Sequence, residues 1–152
     1  MHYLIAAAGR WKAGPEKALF EHFQHRIQPP CELREVEEKK RLSGSELIRR
    51  EGALLLKAVP DGARVIALDG GGKGLTSRQL AGHLGAWRDE GIRTTAFLIG
   101  GADGHDKAVL QRAELTLSLG PQTWPHLMVR AMLAEQIYRA QSILAGHPYH
   151  RD

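Results

Sequence analysis

Apolar residues fall along this chain in short unbroken runs and in helical stripes, and the two kinds alternate. Tyr3 to Ala8 is an apolar run ended by Gly9, which predicts a buried strand. Pro15 to Gln28 predicts a helix with Ala18, Leu19, Phe23 and Ile27 on one face, stopped by Pro29-Pro30. Glu32 to Glu37 places Leu33 and Val36 among charges and reads as an exposed edge strand. Ser43 with Glu46 has the spacing of a capping box, and the helix behind it buries Leu47, Ile48, Leu54, Leu55 and Leu56. Pro60-Asp61-Gly62 is a turn before the strand Arg64 to Leu68. Thr76 with Gln79 caps a helix over Ser77 to Glu90, and Arg93 to Ile99 is the most strand-like run. A short helix from Asp106 to Arg112, a strand from Leu115 to Leu119 and a long helix from Pro125-His126 follow; the last carries Leu133, Ile137, Ala140 and Leu144 on one stripe.

The resulting order alternates strand and helix five times. That order predicts an α/β fold with a mostly parallel sheet and helices on both faces, a single domain over residues 1–152. Ligands of such sheets sit beyond the carboxyl ends of the strands. Three segments leave those ends: Asp69 to Gly74, Gly100 to Gly104, and Leu119 to Trp124. The first has four glycines in six residues and is expected to be a loop. It lacks the Ser or Thr that follows the lysine of a phosphate loop, and its last glycine is one position early for a dinucleotide fingerprint. A flexible turn is the simpler reading. At Gly100-Gly101, close backbone approach to a ligand and a tight turn fit equally well.

Composition narrows the function classes. The chain has 43% hydrophobic and 25% charged residues, as a globular protein does. A formal charge of +4 favours an anionic partner. Cys31 is the one cysteine, so no intramolecular disulfide forms. The apolar start is too short to span a bilayer and has no basic leader, so a cytoplasmic protein without a membrane partner is expected. The eight histidines are scattered; His22 and His25 share a helix that no cysteine accompanies, and His147 and His150 have no nearby third ligand, so no metal is expected. No Gly-x-Ser-x-Gly elbow offers hydrolytic chemistry. The ending from Gly146 to Asp152 contains Tyr149, His150 and Arg151. These could stack on a base, move a proton and hold a phosphate, although terminal segments are commonly frayed.

Several stretches together resemble one family end to end. They are Val65 to Asp69, Phe97 to Gly104, Leu117 to Leu119, Thr123 to His126, Val129-Arg130, Glu135 to Ala140, and His147 to Arg151. The chain resembles the pseudouridine N3-methyltransferases of the large ribosomal subunit, the RlmH type, among the SPOUT methyltransferases. The resemblance implies a deep C-terminal trefoil knot, an exception to the rule that chains do not thread loops. It implies a homodimer, with the stripe of the last helix as part of the interface.

It also implies S-adenosylmethionine as cofactor, held by Leu68, Gly100, Leu119, Gly120, Pro121, Gln122, Thr123 and Trp124. Gly120-Pro121 departs from many relatives, and Pro121 offers no N–H. The implied reaction methylates N3 of a pseudouridine in ribosomal RNA. His150 would be the base, Tyr149 would stack on the nucleoside, and Arg139 would steady the anion or a phosphate. Arg151 and Arg130 are further candidates for binding RNA. Two other readings compete: a SPOUT methyltransferase acting on transfer RNA, and a non-catalytic ribosome-binding protein of the same fold.

Overall fold

The computed structural model describes residues 1–152. In chain order the elements are β1 (His2–Ala8), α1 (Pro15–Gln24), β2 (Glu32–Val36), α2 (Gly44–Ala58), β3 (Arg64–Gly74), α3 (Ser77–Asp89), β4 (Thr94–Ile99), α4 (Lys107–Arg112), β5 (Leu115–Ser118) and α5 (His126–Leu144). The five strands form one sheet in the order β2-β1-β4-β3-β5, every pair parallel. Parallel strands are covered on both faces, which is why β1 and β4 are apolar without alternation.

Successive side chains still point to opposite layers. Ile5, Ile66, Phe97 and Leu117 meet Phe20 of α1, Leu80 and Leu84 of α3, and Leu133 and Ile137 of α5. On the other face Ala6, Val65, Ala67 and Leu98 meet Leu55 of α2 and Val109 of α4. The α/β fold with helices on both faces is thus observed, and the sheet is wholly parallel.

Four local expectations need correction. First, α1 stops at Gln24 and its buried face is rotated: Phe20 is buried, while Ala18 is exposed and Leu19 is 47% exposed. The buried set is Phe20 and Ile27 with Phe23 between them, an i, i+3, i+7 series. The residue before a proline avoids helical geometry, and Gln28 instead has both backbone groups bound by the side chain of Gln141 on α5, at 2.9 and 2.6 Å. Second, Ser43 does occupy the position before α2, but its side chain makes no capping bond. The Thr76–Gln79 box does form in full.

Third, Asp69 to Gly74 is not a loop but the continuation of β3. Leu117 pairs with Leu68 and again with Lys73, and Gly74 pairs with Ser118. A Cβ at Gly72 would sit 2.7 Å from the backbone of Thr116, so the missing side chain is what lets the two backbones close up. Fourth, the stripe on α5 faces inward. Leu133, Ile137 and Ala140 are fully buried within this chain, so they are not a surface for a second copy.

Candidate functional site

The carboxyl edge of β3, β4 and β5 opens into a cleft of about 340 Å³. Leu68 ends the buried part of β3, Gly100 follows β4, and Leu119, Gly120, Pro121, Gln122, Thr123 and Trp124 follow β5; all of them line this cleft. Ile99 and Leu117 add apolar floor, and Asp69, His126 and Val129 complete the rim.

The loops hold their own shape. Ser118 Oγ donates to Gly120 O at 3.0 Å and accepts from Gly120 N at 3.2 Å, while Trp124 Nε1 donates to Leu119 O at 3.1 Å. Gly120 has φ +107°, a conformation side chains rarely adopt. Gly101 bridges to Gly104 across a tight turn. A Cβ at Gly100 would meet Gly104 O at 2.8 Å, so of the two readings of this glycine the turn is what requires it.

Beneath that turn lies a histidine that sequence reasoning passed over. His105 is in hydrogen-bond contact with Leu98 O through Nε2, at 3.0 Å, and its Nδ1 is buried with no partner. Burial pushes its pKa below the ordinary 6.5. His126 Nε2 reaches Ala8 O at 2.9 Å and ties the start of α5 to the end of β1.

The C-terminal tail is docked, not frayed. Tyr149 packs edge-on against Tyr138, ring centroids 4.7 Å apart, and its hydroxyl donates to Glu135 Oε1 at 3.0 Å. Burial, and then this bond, raise the pKa of the phenol. The guanidinium of Arg139 lies 4.7 Å above the Tyr149 ring, also bound to Glu135 Oε1. Arg139 NH1 is 3.2 Å from His150 Nδ1, and His150 Nε2 is 3.1 Å from Asp152, which also pairs with Arg78. A guanidinium only donates, so Nδ1 is the acceptor and Nε2 carries the hydrogen toward Asp152.

Glu135 therefore binds two of the candidates, Tyr149 and Arg139, directly and reaches His150 through Arg139, and it was not among the sequence candidates. Its i, i+4 spacing to Arg139 was the available signal. Glu135 also lines a second cleft, about 630 Å³, which shares Leu117 to Gly120 with the first. No tail residue lines the first cleft.

The two RNA candidates part company. Arg151 is exposed and has no carboxylate partner. Arg130 is 0% exposed, paired with Glu35 at 3.0 Å, bonded to Ala8 O and Gly9 O, and stacked 4.7 Å from the Trp11 ring. It is a buried brace between α5 and the end of β1, out of reach of an external RNA.

Residues 1–150 match the family described as "Predicted SPOUT methyltransferase". Among similar proteins are two named ribosomal RNA large subunit methyltransferase H. The one from Paramagnetospirillum magneticum is 56% identical and the one from Rhodospirillum centenum 55%, each over 99% of both chains. Among solved structures, a probable methylase family protein from Haemophilus influenzae superposes with a TM-score of 0.58 at 11% identity, covering 99% of this chain and 70% of that one. A structure concerned with 2-OH methylation of C/U34 on tRNA gives a TM-score of 0.51 at 22% identity, covering 96% of this chain and 99% of that one. At such identities these two likenesses speak for the fold alone.

Proposed function

The chain belongs to the SPOUT methyltransferase family, and on that footing we propose that it methylates large-subunit ribosomal RNA, at N3 of a pseudouridine, with S-adenosylmethionine as donor. The observation that carries this reading is the cleft at the carboxyl edge, onto which all the candidate cofactor residues converge from β3, the turn after β4 and the loop after β5. Its volume is within the range of small-molecule sites. Leu68, Leu117 and Leu119 suit an adenine face, and Ser118, Gln122 and Thr123 offer polar groups for the rest of the molecule. When bound, the cofactor supplies a methyl group on a positively charged sulfur.

What the chain contributes is position and proton handling. The N3 imide is a weak acid, and its proton must leave as the N–C bond forms. Tyr149 would stack on the nucleoside, and Arg139 would steady the anion. His150 takes the proton only after Arg139 NH1 has moved off Nδ1, because that contact occupies the lone pair a base needs. Arg151 remains a candidate for a phosphate.

Because no tail residue lines the cofactor cleft, and Tyr149 is tied instead to Glu135 on α5, one chain in this arrangement holds an incomplete site. A homodimer, in which one protomer's tail holds the nucleoside at the mouth of its partner's cofactor cleft, would complete it. The interface then lies elsewhere than the buried α5 stripe; Leu19, exposed on α1 beside the larger cleft, is one candidate position. We further take the chain to be one domain over residues 1–152, cytoplasmic, and knotted in its C-terminal part.

Transfer RNA as substrate, and a non-catalytic ribosome binder, remain the competing readings. Calorimetric titration with S-adenosylmethionine separates enzyme from binder. Methyl-transfer assays on ribosomes, free ribosomal RNA and transfer RNA separate the substrates. Transfer to transfer RNA alone would overturn the proposal.

A further inference from the structure

The formal surplus of positive charge is concentrated in one place. Residues 10–12 and 37–50 carry seven cations, namely Arg10, Lys12, Lys39, Lys40, Arg41, Arg49 and Arg50, against three carboxylates. That excess equals the +4 of the whole chain, so the remainder is formally neutral. Each carboxylate is already taken by an arginine: Glu37 by Arg10, Glu38 by Arg50 and Glu46 by Arg49. Lys12, Lys39, Lys40 and Arg41 are exposed and have no carboxylate partner.

The fold sets these residues beside the cofactor cleft. Ala8 is level with Val36 and Ala7 with Ile99, so the segments after β1, β2 and β4 leave the sheet at the same edge. Strands are spaced about 4.8 Å apart, which puts the segment after β2 about 10 Å from the glycine turn after β4. The three segments at the cofactor cleft carry Asp69 and Asp103 against the single cation Lys73, a less favourable surface for phosphates.

We infer that the edge formed by Lys12 and Lys39-Lys40-Arg41 is the docking surface for the RNA backbone flanking the target nucleotide. This rests on the reading that the chain acts on ribosomal RNA. A strand of phosphates crossing β1 and β2 would meet the four unpaired cations, while the target base turned toward β4 would enter the cleft. Lysines suit this task because phosphate contacts position the nucleic acid without reading its sequence. Binding through them releases counterions and therefore weakens with salt.

The test compares two double variants of equal charge change. One is Lys39→Glu with Lys40→Glu. The other is Lys57→Glu with Arg93→Glu, two exposed cations away from this edge, one late in α2 and one just before β4. Initial rates on large ribosomal subunits and on their RNA are measured against salt. The first double should raise the KM for RNA roughly tenfold or more and reduce the salt slope by about two. Its S-adenosylmethionine affinity and its kcat at saturating RNA should stay within about twofold, as should every parameter of the second double. An unchanged first double, or equal loss in both, would overturn the surface. A parent enzyme inactive on every RNA would instead refute the functional reading, and the same salt titration of RNA binding would still decide the surface.

Discussion

Removing the Glu35 carboxylate should destabilise the protein far more than a surface ion pair would. Arg130 is 0% exposed and Glu35 is 19% exposed on the side chain, with 3.0 Å between them. Glu35 also accepts the backbone N–H of Trp11 at 2.6 Å. Glu35→Leu would leave a buried guanidinium with the carbonyls of Ala8 and Gly9 and the face of Trp11, and no counter-charge. Breaking a buried pair from one side costs about 3–5 kcal/mol, and the residual exposure of Glu35 puts this case near about 3. Arg130→Met should cost about 2–3 kcal/mol, since it strands the carboxylate only partly. The double variant removes both charges and should cost clearly less than the sum, with a coupling of about 2 kcal/mol. Urea unfolding at fixed protein concentration reads this directly, because 3 kcal/mol lowers the midpoint by roughly 1–3 M at typical slopes. A coupling near zero with single costs under about 1 kcal/mol would refute the brace. An Arg130→Met protein of parental stability with a raised KM for RNA would restore the RNA-contact role that burial argues against.

Three further outcomes are expected. Deleting Tyr149 to Asp152 should reduce methyl transfer more than about 100-fold while cofactor affinity stays within about twofold; equal losses in both would place the tail in the cofactor site. His105 is held below its ordinary pKa of 6.5 by burial, so the unfolded chain binds the proton first. Stability should then be complete above 6.5 and fall as pH drops from 6.5 toward the folded pKa, and unfolding curves of His105→Leu should flatten that fall; an unaltered pH profile would contradict it. The Cys31 thiol is pushed up to about 12 by burial, so a maleimide at pH 8 should label it only as the chain unfolds; rapid labelling of the native protein would be the contrary result.

How far the sequence revealed the molecule depended on where each signal came from. β1 and β4 were legible because strands buried on both faces are apolar throughout, and once five alternations were set out, the carboxyl-edge loops followed. The cofactor residues themselves came from the family resemblance, and they fell onto one cleft because they sit at those strand ends. Gly70 to Gly74 were misjudged because glycine-rich composition normally argues against a strand, whereas Gly72 is there so that β3 can press on the backbone of Thr116. The face of α1 was misplaced because Leu19 and Phe20 are neighbours and either fits a helical stripe. Arg130 looked like any helix cation; its partner Glu35 lies 95 residues away in sequence, a distance no local pattern spans. The order of the tail rests likewise on Glu135 and Tyr138, whose convergence with Tyr149 required the fold.

The most direct test of the account uses methyl-labelled S-adenosylmethionine and ribosomes from cells lacking the corresponding modification. After reaction, the large-subunit RNA is digested and its nucleosides are separated by mass. The account predicts label in a single methylated pseudouridine, with the methyl on N3. Label confined to transfer RNA or the small-subunit RNA, or no label despite bound cofactor, would contradict it.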